Sequence, residues 1–128
     1  MVLKDGGSNL LKGKVMSALF FEPSSRTFSS FAASIKQLGG ATIEFQNIQD
    51  VSSVAKGETL QDTMQTFASY SNAIIIRHPE VGSALQAANA VDVPVINAGD
   101  GGNAHPTQTL YDLYTIYEKH KRLDNLIC

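Results

Sequence analysis

Short strand-like runs alternate with stretches of helical period along this chain, and that alternation restricts its fold more than any other feature. Val15–Phe21, Ala73–Ile76 and Val93–Ala98 are short apolar runs, as expected of strands buried on both faces. Ala41–Gln46 alternates in the manner of a half-exposed strand. Between the first two strands lie Phe28, Phe31, Ala32, Ile35 and Leu38, at the i, i+3, i+4, i+7, i+10 spacing of a core-facing helix over Ser25–Leu38. Gly39-Gly40 ends that helix. A second helix is expected over Glu58–Tyr70 with Leu60, Met64, Phe67 and Ala68 inward, and a short one over Val81–Ala90. The last begins at Pro106, a favoured first helical residue, and carries Leu110, Leu113, Tyr114 and Tyr117. Strands separated by amphipathic helices predict an α/β, three-layer domain: a parallel sheet of about four strands with helices on both faces.

At 128 residues the chain is one domain long, and 43% hydrophobic with 17% charged residues is the composition of a folded globular domain. A net charge of −2 gives no sign of a nucleic-acid or membrane surface, so any anion site must be local, built from a few placed cations. The single cysteine, Cys128, permits neither an intrachain disulfide nor a cysteine metal cluster. His78, His105 and His120 show no ligand spacing, so no metal and no cofactor is expected. Without a membrane-length apolar run or a signal-peptide pattern, the expected location is cytoplasmic.

Polar clusters fall where the strands end, which is where open α/β sheets bind ligands. Glu22-Pro23-Ser24-Ser25-Arg26-Thr27 sets hydroxyls, a guanidinium and free backbone N–H groups at one helix N-terminus, an arrangement suited to phosphate. An ordinary Ser/Thr N-cap with an exposed arginine reads equally well from this segment alone. Arg77-His78-Pro79 follows a buried strand. His105-Pro106-Thr107-Gln108 follows a glycine-rich loop, with local capping as the simple alternative for both His105 and Gln108. The polar, irregular stretch Asn47–Gly57 holds Ser52 and Lys56, for which plain solvation is the simple alternative. The glycine spacing fits neither dinucleotide nor P-loop patterns, and no nucleophile elbow is present. The residues suit binding and polarisation of a phosphorylated carbonyl compound without a covalent intermediate.

Five ordered segments resemble the transcarbamoylases: Glu22–Thr27, Lys56-Gly57-Glu58-Thr59-Leu60, Arg77-His78-Pro79, Asn97-Ala98-Gly99-Asp100-Gly101 and His105–Gln108. The pairing of the third and fourth is similar to the aspartate-specific branch rather than the ornithine-specific one. The resemblance implies a carbamoyl-phosphate-binding domain spanning residues 1–128, with the aspartate-binding domain absent. It implies that Ser24, Ser25, Arg26 and Thr27 bind the phosphate. Arg77 would contact phosphate and carbonyl, Thr27 and His105 polarise the carbonyl oxygen, and Gln108 position the carbamoyl nitrogen. It further implies that Ser52 and Lys56 enter a neighbouring subunit's site in a homotrimer, and that Glu22 pairs with arginines on domain closure. The implied reaction carbamoylates the L-aspartate amine, towards pyrimidines. An isolated binding and trimerisation module without turnover is the alternative. Ser25 stands where the family usually has threonine, and Phe28 where many members have a second arginine.

Overall fold

The computed structural model describes residues 6–48 and 57–124. In order along the chain, its elements are β1 (Val15–Phe20), α1 (Ser25–Gln37), β2 (Ala41–Gln46), α2 (Leu60–Ala68), β3 (Ala73–His78), α3 (Ser83–Asn89), β4 (Val95–Asp100) and α4 (Pro106–His120). The strands form one parallel sheet in the order β2-β1-β3-β4. The expected fold class is the observed one.

Burial follows sheet position. The central strands are sealed: Ala18, Leu19 and Phe20 of β1 and Ile74, Ile75 and Ile76 of β3 have no exposed surface. Side chains alternate between the two faces. Leu19, Ile74 and Ile76 pack with Met64 of α2 and Ala84 and Ala87 of α3. Ala18, Phe20 and Ile75 pack with Phe28 and Ile35 of α1 on the opposite face. Phe20 and Phe28 meet edge-on, with ring centroids 5.2 Å apart. Helices therefore cover both faces of the sheet, as expected.

Element ends differ from expectation for local reasons. The third helix starts at Ser83, not Val81, because Gly82 takes a left-handed conformation (φ 85°) at its N-cap. The fourth strand starts after Pro94, whose carbonyl instead accepts from the Ile74 amide, and runs on through Gly99-Asp100. The second helix is shorter than expected, starting at Leu60 behind a Thr59–Asp62 capping box. The largest difference is α4. It buries none of its residues, and Leu110 (67% exposed), Tyr114 (63%) and Tyr117 (49%) lie open.

The topology creates one crevice. From β1 the chain crosses to β2 on one side, and from β3 to β4 on the other, so β1 and β3 flank the switch point of the sheet. Their carboxyl ends are tied together: Phe20 is in register with Arg77, and the Phe21 amide donates to the Arg77 carbonyl at 2.8 Å.

Candidate active site at the sheet switch point

Leaving β1, the chain turns through Glu22-Pro23 and enters α1 with Ser24 at the N-cap. Ser24 makes no side-chain cap hydrogen bond, and the first turn of α1 holds no acidic residue. Ser24 therefore stands at the N-cap without a side-chain cap. Beside this helix start lies an open cleft of about 930 Å³, lined by Ser24, Ser25, Arg26, Thr27, Ser30, Arg77, Gln108 and Tyr111 among others. Arg26 is exposed and makes no ion pair among the described residues.

Arg77 enters the cleft from the end of β3, one strand away. Its Nε donates to Glu22 Oε1 at 2.6 Å, and its Nη1 to the Ala98 carbonyl at 3.3 Å. Glu22 thus pairs within this domain, with an arginine that sheet order rather than sequence distance makes its neighbour. His105 approaches Arg77 from the third side, with Nε2 3.2 Å from Arg77 Nη1. That approach needs a bare Gly99: a β-carbon there would lie 3.2 Å from Arg77 Nη1 and 3.5 Å from His105 Cδ2, and its φ of 126° disfavours a side chain anyway.

His105 is also the N-cap of α4, and its Nδ1 accepts the Gln108 amide at 3.3 Å. The capping alternative holds for this residue, yet it does not compete with the site. A neutral imidazole that accepts at Nδ1 carries its proton on Nε2. In that tautomer Nε2–H and the Arg77 Nη1–H groups, 3.2 Å apart, are both donors; in the other, Nδ1–H donates to Thr107 Oγ1 at 3.3 Å and Nε2 accepts from Arg77. In the first case an oxygen acceptor between them would satisfy both. The Gln108 side chain does not return to cap the helix start: its Nε2 donates to Asp112 Oδ1 at 2.9 Å, leaving the amide oxygen as an acceptor at the cleft.

His78 lies beneath this arrangement, its ring 4.8 Å from that of Phe21, and its Nδ1 accepts the Glu80 amide at 3.1 Å. Burial lowers its pKa from the ordinary 6.5, against the opposing pull of Glu80 and Glu22. Asp100 carries no site role in the sequence pattern alone. It is 3% exposed and accepts four hydrogen bonds. The signal available was the spacing Asn97-x-x-Asp100-x-x-Asn103 around a strand end.

Ser24, Ser25, Arg26, Thr27, Arg77 and Gln108 therefore line one cleft, with Glu22 and His105 against its arginine. Ser52 and Lys56 lie outside the described residues. Among those described, no three His, Cys, Asp or Glu side chains come together as a metal site. No helix among them is long and apolar enough to cross a membrane.

Known proteins resemble this chain over nearly its whole length. Residues 2–118 match the family model for the aspartate/ornithine carbamoyltransferase carbamoyl-P binding domain. The chain is 52% identical over 126 residues to the aspartate carbamoyltransferase catalytic subunit of Aliivibrio salmonicida, covering 98% of this chain and 41% of that one. It is 53% identical over 120 residues to the catalytic subunit of the same name from Methanothrix thermoacetophila, covering 94% and 39%. Among solved structures, aspartate transcarbamoylase from Trypanosoma cruzi in complex with carbamoyl phosphate and aspartate aligns with a TM-score of 0.87 at 43% identity. That alignment covers 94% of this chain and 39% of the other. The chain thus spans about two fifths of the length of these relatives.

Proposed function

Since the chain belongs to the aspartate/ornithine carbamoyltransferase family, as its carbamoyl-phosphate-binding domain, we propose that it binds carbamoyl phosphate in the switch-point cleft. There it forms one half of an active site that carbamoylates L-aspartate. The observation that carries this reading is the convergence of Arg77 Nη1 and His105 Nε2, 3.2 Å apart, beside the uncapped start of α1.

The phosphate would sit on the first-turn amides of α1 and the hydroxyls of Ser24, Ser25 and Thr27, with Arg26 supplying charge from the cleft wall. The carbonyl oxygen would take the donors of Arg77, His105 and Thr27. The Gln108 amide oxygen would accept from the carbamoyl NH2. When an amine attacks the carbonyl carbon, a C–N bond forms and negative charge gathers on that oxygen, where the donors already point. Collapse then breaks the C–O bond to phosphate, and the proton lost by the amine leaves with the phosphate. Glu22 holds Arg77 through Nε, which keeps Nη1 turned toward the ligand. Closure against a second domain is the further role assigned to Glu22.

The relatives carry the greater part of their length beyond the matched region. In this reading residues 1–128 are the carbamoyl-phosphate domain, and aspartate is held by a domain of the kind that occupies that remaining length. The open apolar stripe of α4, beside the cleft, suits contact with it. Ser52 and Lys56 are assigned to the site of a neighbouring copy in a homotrimer, and the enzyme to the cytoplasm.

Calorimetric titration with carbamoyl phosphate tests the site. One ligand per chain is expected, with inorganic phosphate competing; no binding at millimolar ligand would sink the reading. Turnover of carbamoyl phosphate with L-aspartate separates the half-site from a complete catalyst, and the chain by itself is expected to form no carbamoyl aspartate. For the shared site, mixed Lys56→Ala and Arg26→Ala chains should regain part of the binding each has lost, because hybrid trimers contain intact sites. Mixtures no better than the average of their components would mean that each chain's site is self-contained.

A further inference from the structure

The least explained charge in the fold is the Asp100 carboxylate, buried at the end of β4 with no cationic partner among the described residues. A buried carboxylate without a counter-charge persists only where hydrogen bonds replace its water. Here Oδ1 accepts from Asn97 Nδ2 and the Ala104 amide, each at 3.2 Å. Oδ2 accepts from the Gly82 amide and Asn103 Nδ2, each at 3.1 Å. These donors hold its pKa below the usual carboxylate value, Asn103 and Asn97 contributing most, against the opposing effect of burial. Three of the four come from residues 97, 103 and 104, on either side of the turn between β4 and α4. The backbone closes the same turn, with the Asp100 amide on the Ala104 carbonyl and the Asn103 amide on the Asp100 carbonyl, each at 3.2 Å. Ala104 is bonded directly to His105, whose imidazole meets Arg77.

We propose that Asp100 is a positioning residue: its carboxylate gathers the 100–104 turn and thereby aims the His105 imidazole at the ligand oxygen beside Arg77. The fourth donor, Gly82, ties the same carboxylate to the start of α3, so the turn is anchored to the sheet face that α2 and α3 cover. This inference rests on the carbamoyl-phosphate reading for the identity of the ligand but not for the orientation of His105.

Asp100→Asn supplies the test, because either orientation of the amide sets an NH2 group against two N–H donors. Nitrogen-15 NMR of the His105 imidazole and calorimetry with carbamoyl phosphate and with inorganic phosphate are the readouts, with Asn103→Ala as the milder variant should Asp100→Asn fail to fold. The expected result is a displaced His105 signal in either variant, with unchanged amide signals in the first turn of α1. Affinity for carbamoyl phosphate should fall about tenfold in Asp100→Asn, the scale of one lost hydrogen bond, while that for inorganic phosphate, held at the start of α1, stays unchanged. A wild-type His105 signal in a folded variant overturns the positioning role, whatever the affinity. Wild-type protein that binds no phosphate counts against the site reading instead, and the imidazole signal still decides the role of Asp100.

Discussion

Helices α1 and α4 flank the same cleft, and both carry apolar residues at helical spacing, yet only one is covered. From α1, Phe28, Ala32 and Ile35 are buried against the sheet; from α4, no residue is buried. Each delivers site residues from its N-terminus: the hydroxyls and Arg26 from α1, His105 and Gln108 from α4. The difference lies in what holds those residues in place. At α1 the hydrophobic core does so. At α4 it is the hydrogen-bonded turn around Asp100, with the apolar stripe left for another surface. In the proposed reading the phosphate end of the site thus rests on the covered helix, while the carbonyl end stands at the open edge of this domain.

The comparison can be broken most forcefully by stability. Phe28→Ala should cost about 3–5 kcal/mol, the usual loss for deleting a buried aromatic ring, whereas Leu110→Ser on α4 should change stability by less than about 0.5 kcal/mol. Chemical denaturation measures both, and similar losses would mean that α4 is covered after all. Ligand binding comes next. Arg77→Ala should weaken carbamoyl phosphate by about 2–3 kcal/mol, since it removes charge-assisted bonds from the middle of the cleft. Arg26→Ala, on an exposed side chain, should weaken it by about 1.5 kcal/mol at most. Calorimetry that ranks Arg26 above Arg77 would shift the weight of the site onto α1.

The smallest effect is on pH. Asp100 and His78 both have lowered pKa values in the fold, so the unfolded chain binds more protons and stability rises with pH. The contribution of His78 is fully present above the ordinary histidine value of 6.5 and is lost as pH falls through its lower folded value. That of Asp100 is present above 3.8 and is lost in stronger acid. The thermal midpoint should therefore decline gently from pH 7 to 5, less so in His78→Phe. A midpoint that rises on acidification over that range would contradict these assignments.

Much of this was legible in the sequence, for identifiable reasons. The β1–α1–β2 unit follows from an apolar run and a helical stripe, each long enough to be unambiguous. The α4 stripe was read with the same rule, but periodicity says only that a face is apolar, not that this domain covers it. The site residues were legible as types at strand ends. The Glu22–Arg77 ion pair was not, because it depends on β3 lying beside β1, and sheet order is not written in local pattern. Asp100 was passed over for a related reason. In a glycine-rich segment an aspartate reads as a turn former, and only the meeting of four donors from β4 and two loops reveals a buried carboxylate.

The most direct test of the central claim is a crystal structure of the protein with carbamoyl phosphate bound. The account predicts the phosphate on the first-turn amides of α1, and the carbonyl oxygen within hydrogen-bonding distance of both Arg77 Nη1 and His105 Nε2. A ligand lying elsewhere, or one whose carbonyl oxygen meets neither group, would contradict it.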